Sequence, residues 1–263
     1  MNILDTIKPI KLLAGSHKNT SETGSGCFLN VASYLAGDTE ITDRPTCVSP
    51  VLRGFVIKVN DMLPPQLRQE LLPFVHRAMQ TGNEGALYEC FAVRVQGEFA
   101  QDALHLLASW AAHDPRVLGG HHHGQRAYYG GAPNYFGPQP FATFKVDLQM
   151  LWENMRDWRD NPMRQVDEVL EVIHRLNAER NGPRSLFEMG RYRRQQAVFT
   201  TLDAKEEHIP APTRITFGEE FTQLVTHTLD RMLPQDTPPA PEVIVRAEQL
   251  VATYTGHKAK VVA

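Results

Sequence analysis

The chain is poor in cysteine, with three in 263 residues. So small and odd a count argues against a disulfide framework and fits a reducing cytoplasm. An excess of one charge is lacking too. The 27 basic and 30 acidic residues leave a net charge of -3, so no global field pulls the chain toward nucleic acid. No apolar run approaches the roughly 20 residues that a membrane-spanning helix needs. The opening MNILDTIKPIKLL has an early acid and a proline within its apolar run, unlike a signal peptide. Gly-rich phosphate loops, HExxH, GxSxG and CxxC are all missing, as is any internal repeat. What remains is an ordinary balance, 42% hydrophobic and 22% charged, in a chain long enough to bury a proper core. The expectation is a soluble, cytoplasmic protein with no membrane partner.

One stretch concentrates positionally demanding residues. Residues 15–63 read GSHKNTSETGSGCFLNVASYLAGDTEITDRPTCVSPVLRGFVIKVNDML. Gly24-Ser25-Gly26 permits an unusual backbone path, and Ser25 is a candidate N-cap for the helix that follows. Over residues 27–36, Cys27, Phe28, Val31, Ala32 and Leu35 recur at helical spacing, and Gly37 suits the helix end. Cys27 then falls in the first turn, where the helix dipole and free N–H groups would lower a thiol pKa. Ser49-Pro50 opens a second helix with a side-chain cap and a proline at its first position. Val51, Leu52, Phe55, Val59 and Leu63 form its apolar stripe, and Pro64-Pro65 ends it.

The run GSH, then GSGCFLNVASYLAG, then TDRPTCVSPVL, then VNDMLP resembles a pattern in uncharacterised proteins of phages and actinobacteria. Those relatives share a GSH, a Cys-containing helix ending in Ala-Gly, a Ser/Thr-Asp-x-Pro-x-Cys loop and an Asn-Asp pair, in that order. ECFAVR at 89–94 and LDRML at 229–233 are weaker echoes. The family supplies no reaction. The resemblance implies that His17, Cys27, Asp43, Cys47, Ser49 and Asp61 form a unit, and that the setting is a phage or prophage.

The rest of the chain reads as helices. Residues 65–80 carry Leu67, Leu71, Leu72, Val75 and Met79 on one face, with Pro73 as a kink. Residues 84–95, with Leu87, Cys90, Phe91 and Val93, and residues 101–112 read as two further helices. At 119–140 the composition shifts to GGHHHGQRAYYGGAPNYFGPQP, a long irregular loop and a candidate boundary. Helical spacing returns at 143–159, 163–179, 217–233 and 242–255. Residues 185–199 read as a helix carrying Arg191, Arg193 and Arg194, and the tail from Gly256 as frayed. Strands are expected to be short and peripheral at most. The fold class is mainly α: a bundle-like array with one long Gly/His/Tyr-rich loop. It divides into a helical core at 1–112, an irregular linker at 113–142 and a second helical part at 143–263.

Three kinds of site are worth weighing. Cys27 is a candidate nucleophile, with His17 as base and Asp43 to orient it, in the manner of cysteine hydrolases or transferases. Against that stands the frequency with which cysteine is simply buried. His17, Cys27 and Cys47 are candidate zinc ligands, though they lack the paired spacing of a structural zinc module. His121, His122 and His123 suit a solvated loop better than a metal site. Tyr128, Tyr129 and Tyr135 in that loop, and Arg191, Arg193 and Arg194 beyond it, are candidate binding residues for a protein or a nucleic acid. The favoured expectation is a protein that binds a macromolecule, with a protein partner ahead of nucleic acid and no cofactor. The alternatives are the Cys27 enzyme and the zinc module.

Overall fold

Cys27, rather than Ser25, starts the helix at the centre of the motif. In the computed structural model, which describes residues 3–113, 153, 160–179, 186–188, 190–193 and 213–262, the Cys27 backbone is extended and its Sγ accepts from the Asn30 N–H at 3.4 Å. Asn30 Oδ1 accepts in turn from the Cys27 N–H, also at 3.4 Å. This is a reciprocal capping box built from Cys and Asn, where Ser/Thr and Glu/Gln are usual. The helix runs Phe28–Ala36 and closes on Gly37 in the left-handed conformation, φ 84°.

The described elements are, in order, α1 (Ile3–Ile7), α2 (Thr20–Thr23), α3 (Phe28–Ala36), α4 (Pro50–Met62), α5 (Pro65–Arg68), a 3-10 turn (Gln69–Phe74), α6 (Val75–Met79) and α7 (Gly85–His113). After them come α8 (Pro162–Glu179), a second 3-10 turn (Leu186–Glu188), β1 (Gly190–Arg193), β2 (Thr213–Thr216), α9 (Phe217–Met232) and α10 (Pro241–Val262). A mainly α array is what the hydrophobic spacing calls for. The two strands form a short antiparallel pair in which Arg191 faces Ile215 and Tyr192 faces Arg214.

Several expectations are corrected. Ser49 precedes α4, but its hydroxyl makes no capping bond. Its N–H donates instead to Thr81 Oγ1 at 2.9 Å. Residues 65–80 break into α5, the 3-10 turn and α6, because Pro73 within the turn cannot donate to a helical ladder. The two helices expected at 84–95 and 101–112 are one, α7, of 29 residues. No proline interrupts it, and Gly97 lies against the start of α8: a Cβ there would stand 2.8 Å from the Pro162 Cβ. Residues 190–193 form β1 rather than part of an arginine-bearing helix. The tail stays helical to Val262 in α10, since one glycine costs only about 1 kcal/mol against alanine. The expected helix at 143–159 lies outside the described residues except for Glu153, which is helical.

A ladder of aromatic rings crosses the core. Phe55 of α4 meets Phe99 of α7 edge-on, with centroids 5.0 Å apart, and Phe99 meets Phe221 of α9 at 6.0 Å. Phe217 stacks on Phe221 and takes Trp110 edge-on at 5.9 Å. The Trp110 indole N–H donates to Glu220 Oε2 at 2.6 Å in the same buried layer. Such T-shaped pairs add about 0.5–1.5 kcal/mol beyond their buried area. Buried residues of α1, α3, α4, α7, α8, α9 and α10 fall in one hydrophobic cluster. The segments expected before and after 113–142 therefore share a core.

Candidate functional site

The motif gathers around α3 and the C-terminal half of α4. Gly15 N–H donates to Asp61 Oδ1 at 2.7 Å, and His17 N–H to Asn30 Oδ1 at 2.8 Å. Asn60 is buried and double-ended: its Oδ1 accepts from Phe28 N–H at 3.3 Å, and its Nδ2 donates to the Leu13 carbonyl at 2.9 Å. The buried Arg68 guanidinium closes the end of α4 by donating to the Asn60 and Leu63 carbonyls, both at 2.6 Å. These bonds satisfy helix-end groups that would otherwise be orphaned. Cys27, Asp43, Asn60 and Asp61 line one cleft with Gly15 and Ser16. Its cavity is about 20 Å³, room for about one water.

The chemistry of Cys27 runs opposite to the expectation. Burial pushes its thiol up to about 11, and the Asp61 and Asp43 carboxylates push the same way against the N–H groups of Asn30 and Leu29. The helix start is there, but desolvation outweighs it. His17 does not line the cleft: its Nε2–H donates to the Ala14 carbonyl at 2.7 Å. His17, Cys27 and Asp43 thus lie near one another in the fold without forming a base-nucleophile pair. Cys47 and Ser49 belong to another contact, where the Cys47 carbonyl accepts from Gly82 N–H at 2.9 Å. Burial pushes the Cys47 thiol up to about 11 as well, with Asp38 adding to it. Among the described residues no group of three or more His, Cys, Asp or Glu gathers so as to hold a metal ion, so His17, Cys27 and Cys47 do not converge.

Tyr128, Tyr129, Tyr135, Arg194 and the three loop histidines lie outside the described residues. Arg191 and Arg193 lie on β1. Among the described residues, the largest departure from an ordinary surface is at the start of α7. Leu87 is 88% exposed and Phe91, one turn on, 46%. Ala86 and Cys90 are exposed beside them, giving an apolar strip two turns long. Arg94 and Glu98, paired at 3.1 Å, follow on the next turns.

Comparison with protein-family models, with curated proteins and with solved structures gives no match. The fold and the site chemistry therefore stand on their own geometry. The sequence places Leu87 and Phe91 on a helix without showing which of its faces is covered. The readable signal was that α7 carries apolar residues on more than one side, and one flank can stay uncovered. The pair His76–Asp236, which closes a second cleft, lies 160 residues apart in sequence and has no spacing signal at all.

Proposed function

We propose that this protein acts by binding another protein, and that the exposed strip at the start of α7 is its contact face. The observation that carries this reading is the exposure of Leu87 and Phe91 one turn apart on a long helix. Single exposed apolar residues are ordinary, but a contiguous strip with polar residues at its end is the usual mark of an interaction site. Aromatic and aliphatic anchors on a helix suit the helix-in-groove mode, in which residues at i and i+4 seat in a partner's pocket. The resemblance to phage and actinobacterial proteins makes a phage or host protein the partner to seek first. No comparable support exists for nucleic acid, given a net charge of -3. The buried, high-pKa Cys27 thiol and its one-water cleft give a cysteine nucleophile no substrate room.

A photo-crosslinking residue placed at Leu87 tests this, with Asp167, an exposed position on α8, as control. The expected result is an adduct with one defined protein at position 87. It should disappear in Phe91→Asp and be missing from the control position. Native alkylation of Cys90, which is exposed, should slow when that protein is bound. Identical adducts at both positions, or an adduct indifferent to Phe91→Asp, would overturn the assignment.

A further inference from the structure

A second cleft opens between α1, the 3-10 turn, α6 and the α9–α10 connection. Its cavity measures about 190 Å³. Ile3, Leu4 and Ile7 of α1 line it together with Leu72 and Pro73 of the 3-10 turn. At its polar end lies His76, only 6% exposed. His76 Nδ1 is 3.1 Å from Asp236 Oδ1. A carboxylate can only accept, so Nδ1 carries the hydrogen, and in the neutral ring Nε2 is left as an acceptor. Among the described residues the ring's hydrogen bond is the one at Nδ1 to Asp236.

The neighbouring charges narrow the ligand. Arg77 also lines the cleft, but four of its five N–H donors are turned to the α9–α10 side: Nε to the Pro234 carbonyl at 2.7 Å, one Nη1–H to Asp230 Oδ1 at 2.6 Å, and Nη2 to the Asp230 and Leu233 carbonyls at 3.1 Å. Its charge is paired with Asp230, and Asp236, 54% exposed at its side chain, would repel an anion. A cation would have to leave water for a largely aliphatic wall, which is costly. A neutral molecule with one hydroxyl fits both ends. A dry apolar cavity of about 150 Å³ can hold a benzene-sized guest, so this one takes a six-membered ring with a small substituent.

We propose that the cleft between α1 and α6 binds a neutral monocyclic alcohol or phenol, its ring against Ile3, Leu4 and Ile7 and its hydroxyl donating to His76 Nε2. The structure assigns His76 the recognition role and Asp236 the task of holding its tautomer, the arrangement by which a second partner orients an imidazole.

The test is a titration of the full chain with 4-methylphenol and with its hydroxyl-free counterpart 1,4-dimethylbenzene, read by NMR at the methyl signals of Ile3 and Ile7, which line the cleft in the native chain and in every variant. Saturable shifts are expected for both compounds. The phenol should bind about five- to tenfold tighter, the worth of about one hydrogen bond. In His76→Leu that preference should vanish while the hydrocarbon still binds. Leu4→Trp, which fills the cleft from a half-buried position, should remove both, with thermal melting to confirm that the variant folds. No saturable shift with either compound would overturn the site. Equal affinities in the native protein, or a preference that survives His76→Leu, would overturn the role of His76. Tighter binding of benzoate or benzylamine than of the phenol would overturn the ligand class.

Discussion

Cys27 shows how burial decides the chemistry of a single residue. Its thiol caps α3, yet it is only 5% exposed, and its pKa is raised from the ordinary 9.0 to about 11. A group whose folded pKa is raised contributes stability that is complete below the unfolded pKa. That contribution is lost as pH climbs toward the folded value. Stability should therefore fall between pH 9 and about 11, with Cys27 adding up to about 1.4 kcal/mol per pH unit. Cys27→Ser keeps an acceptor at the cap, with oxygen in place of sulfur, so it should fold with a change of about 1 kcal/mol or less at neutral pH. Its alkaline loss should be shallower. Urea melts of both proteins at neutral and alkaline pH check this, and superimposable pH profiles would refute it. In native alkylation Cys90 should label first, and Cys27 only on unfolding. The cysteine's place at the start of α3 was legible in the sequence from its glycines and the apolar spacing. Its desolvation was not, because α4 and the 15–17 segment that cover it arrive through long-range bonds such as Gly15 to Asp61.

At the scale of the element, α7 carries the lesson. Gly97 falls in the gap between the helices expected at 84–95 and 101–112, and a glycine mid-helix costs about 1 kcal/mol relative to alanine. The structure puts α8 there instead. Helix propensity alone would make Gly97→Ala stabilising. With the Pro162 Cβ only 2.8 Å from the new methyl, and a proline ring unable to swing aside, the contact must open and the variant should be destabilised. A lower midpoint in chemical denaturation is the expected outcome, and a higher one would show that the helices separate at little cost. The strand β1 teaches the same point in reverse. Its arginines made a basic helix face plausible, yet pairing with Thr213–Thr216 holds the backbone extended, since β-branched Ile215 and threonines favour that state.

At the scale of the whole molecule, α10 ties the chain's end to its beginning. The Arg246 guanidinium donates through Nε to the Leu35 carbonyl at 2.7 Å, covering the last turn of α3. At Gly24, φ 68°, a Cβ would meet the Tyr254 backbone at 2.3 Å, so α10 lies directly on the α2–α3 connection. Ion pairs add further cross-links, Lys58 to Asp167 between α4 and α8 and Arg231 to Glu98 between α9 and α7. One core spanning both ends should melt as one unit. Far-UV circular dichroism and tryptophan fluorescence should give coincident transitions for the full chain. A chain ending at residue 240 should lose cooperativity, because removing α10 uncovers buried residues of α1 and α3 together. Two separate transitions in the full chain would contradict a shared core.

The sequence by itself determined the local grammar. Gly37 ends α3 because a left-handed residue is needed there, Pro50 suits the first position of α4 because its missing N–H is not used, and the apolar period of α8 and α9 follows from 3.6 residues per turn. Only the tertiary structure decided which apolar faces stay uncovered, which thiols lose water, and which distant side chains meet. Leu87 and Phe91 are exposed because no other described element covers that flank of α7. His76 and Asp236 meet because α6 packs beside the α9–α10 connection. Such outcomes depend on contacts between residues far apart in sequence, and no local spacing encodes them.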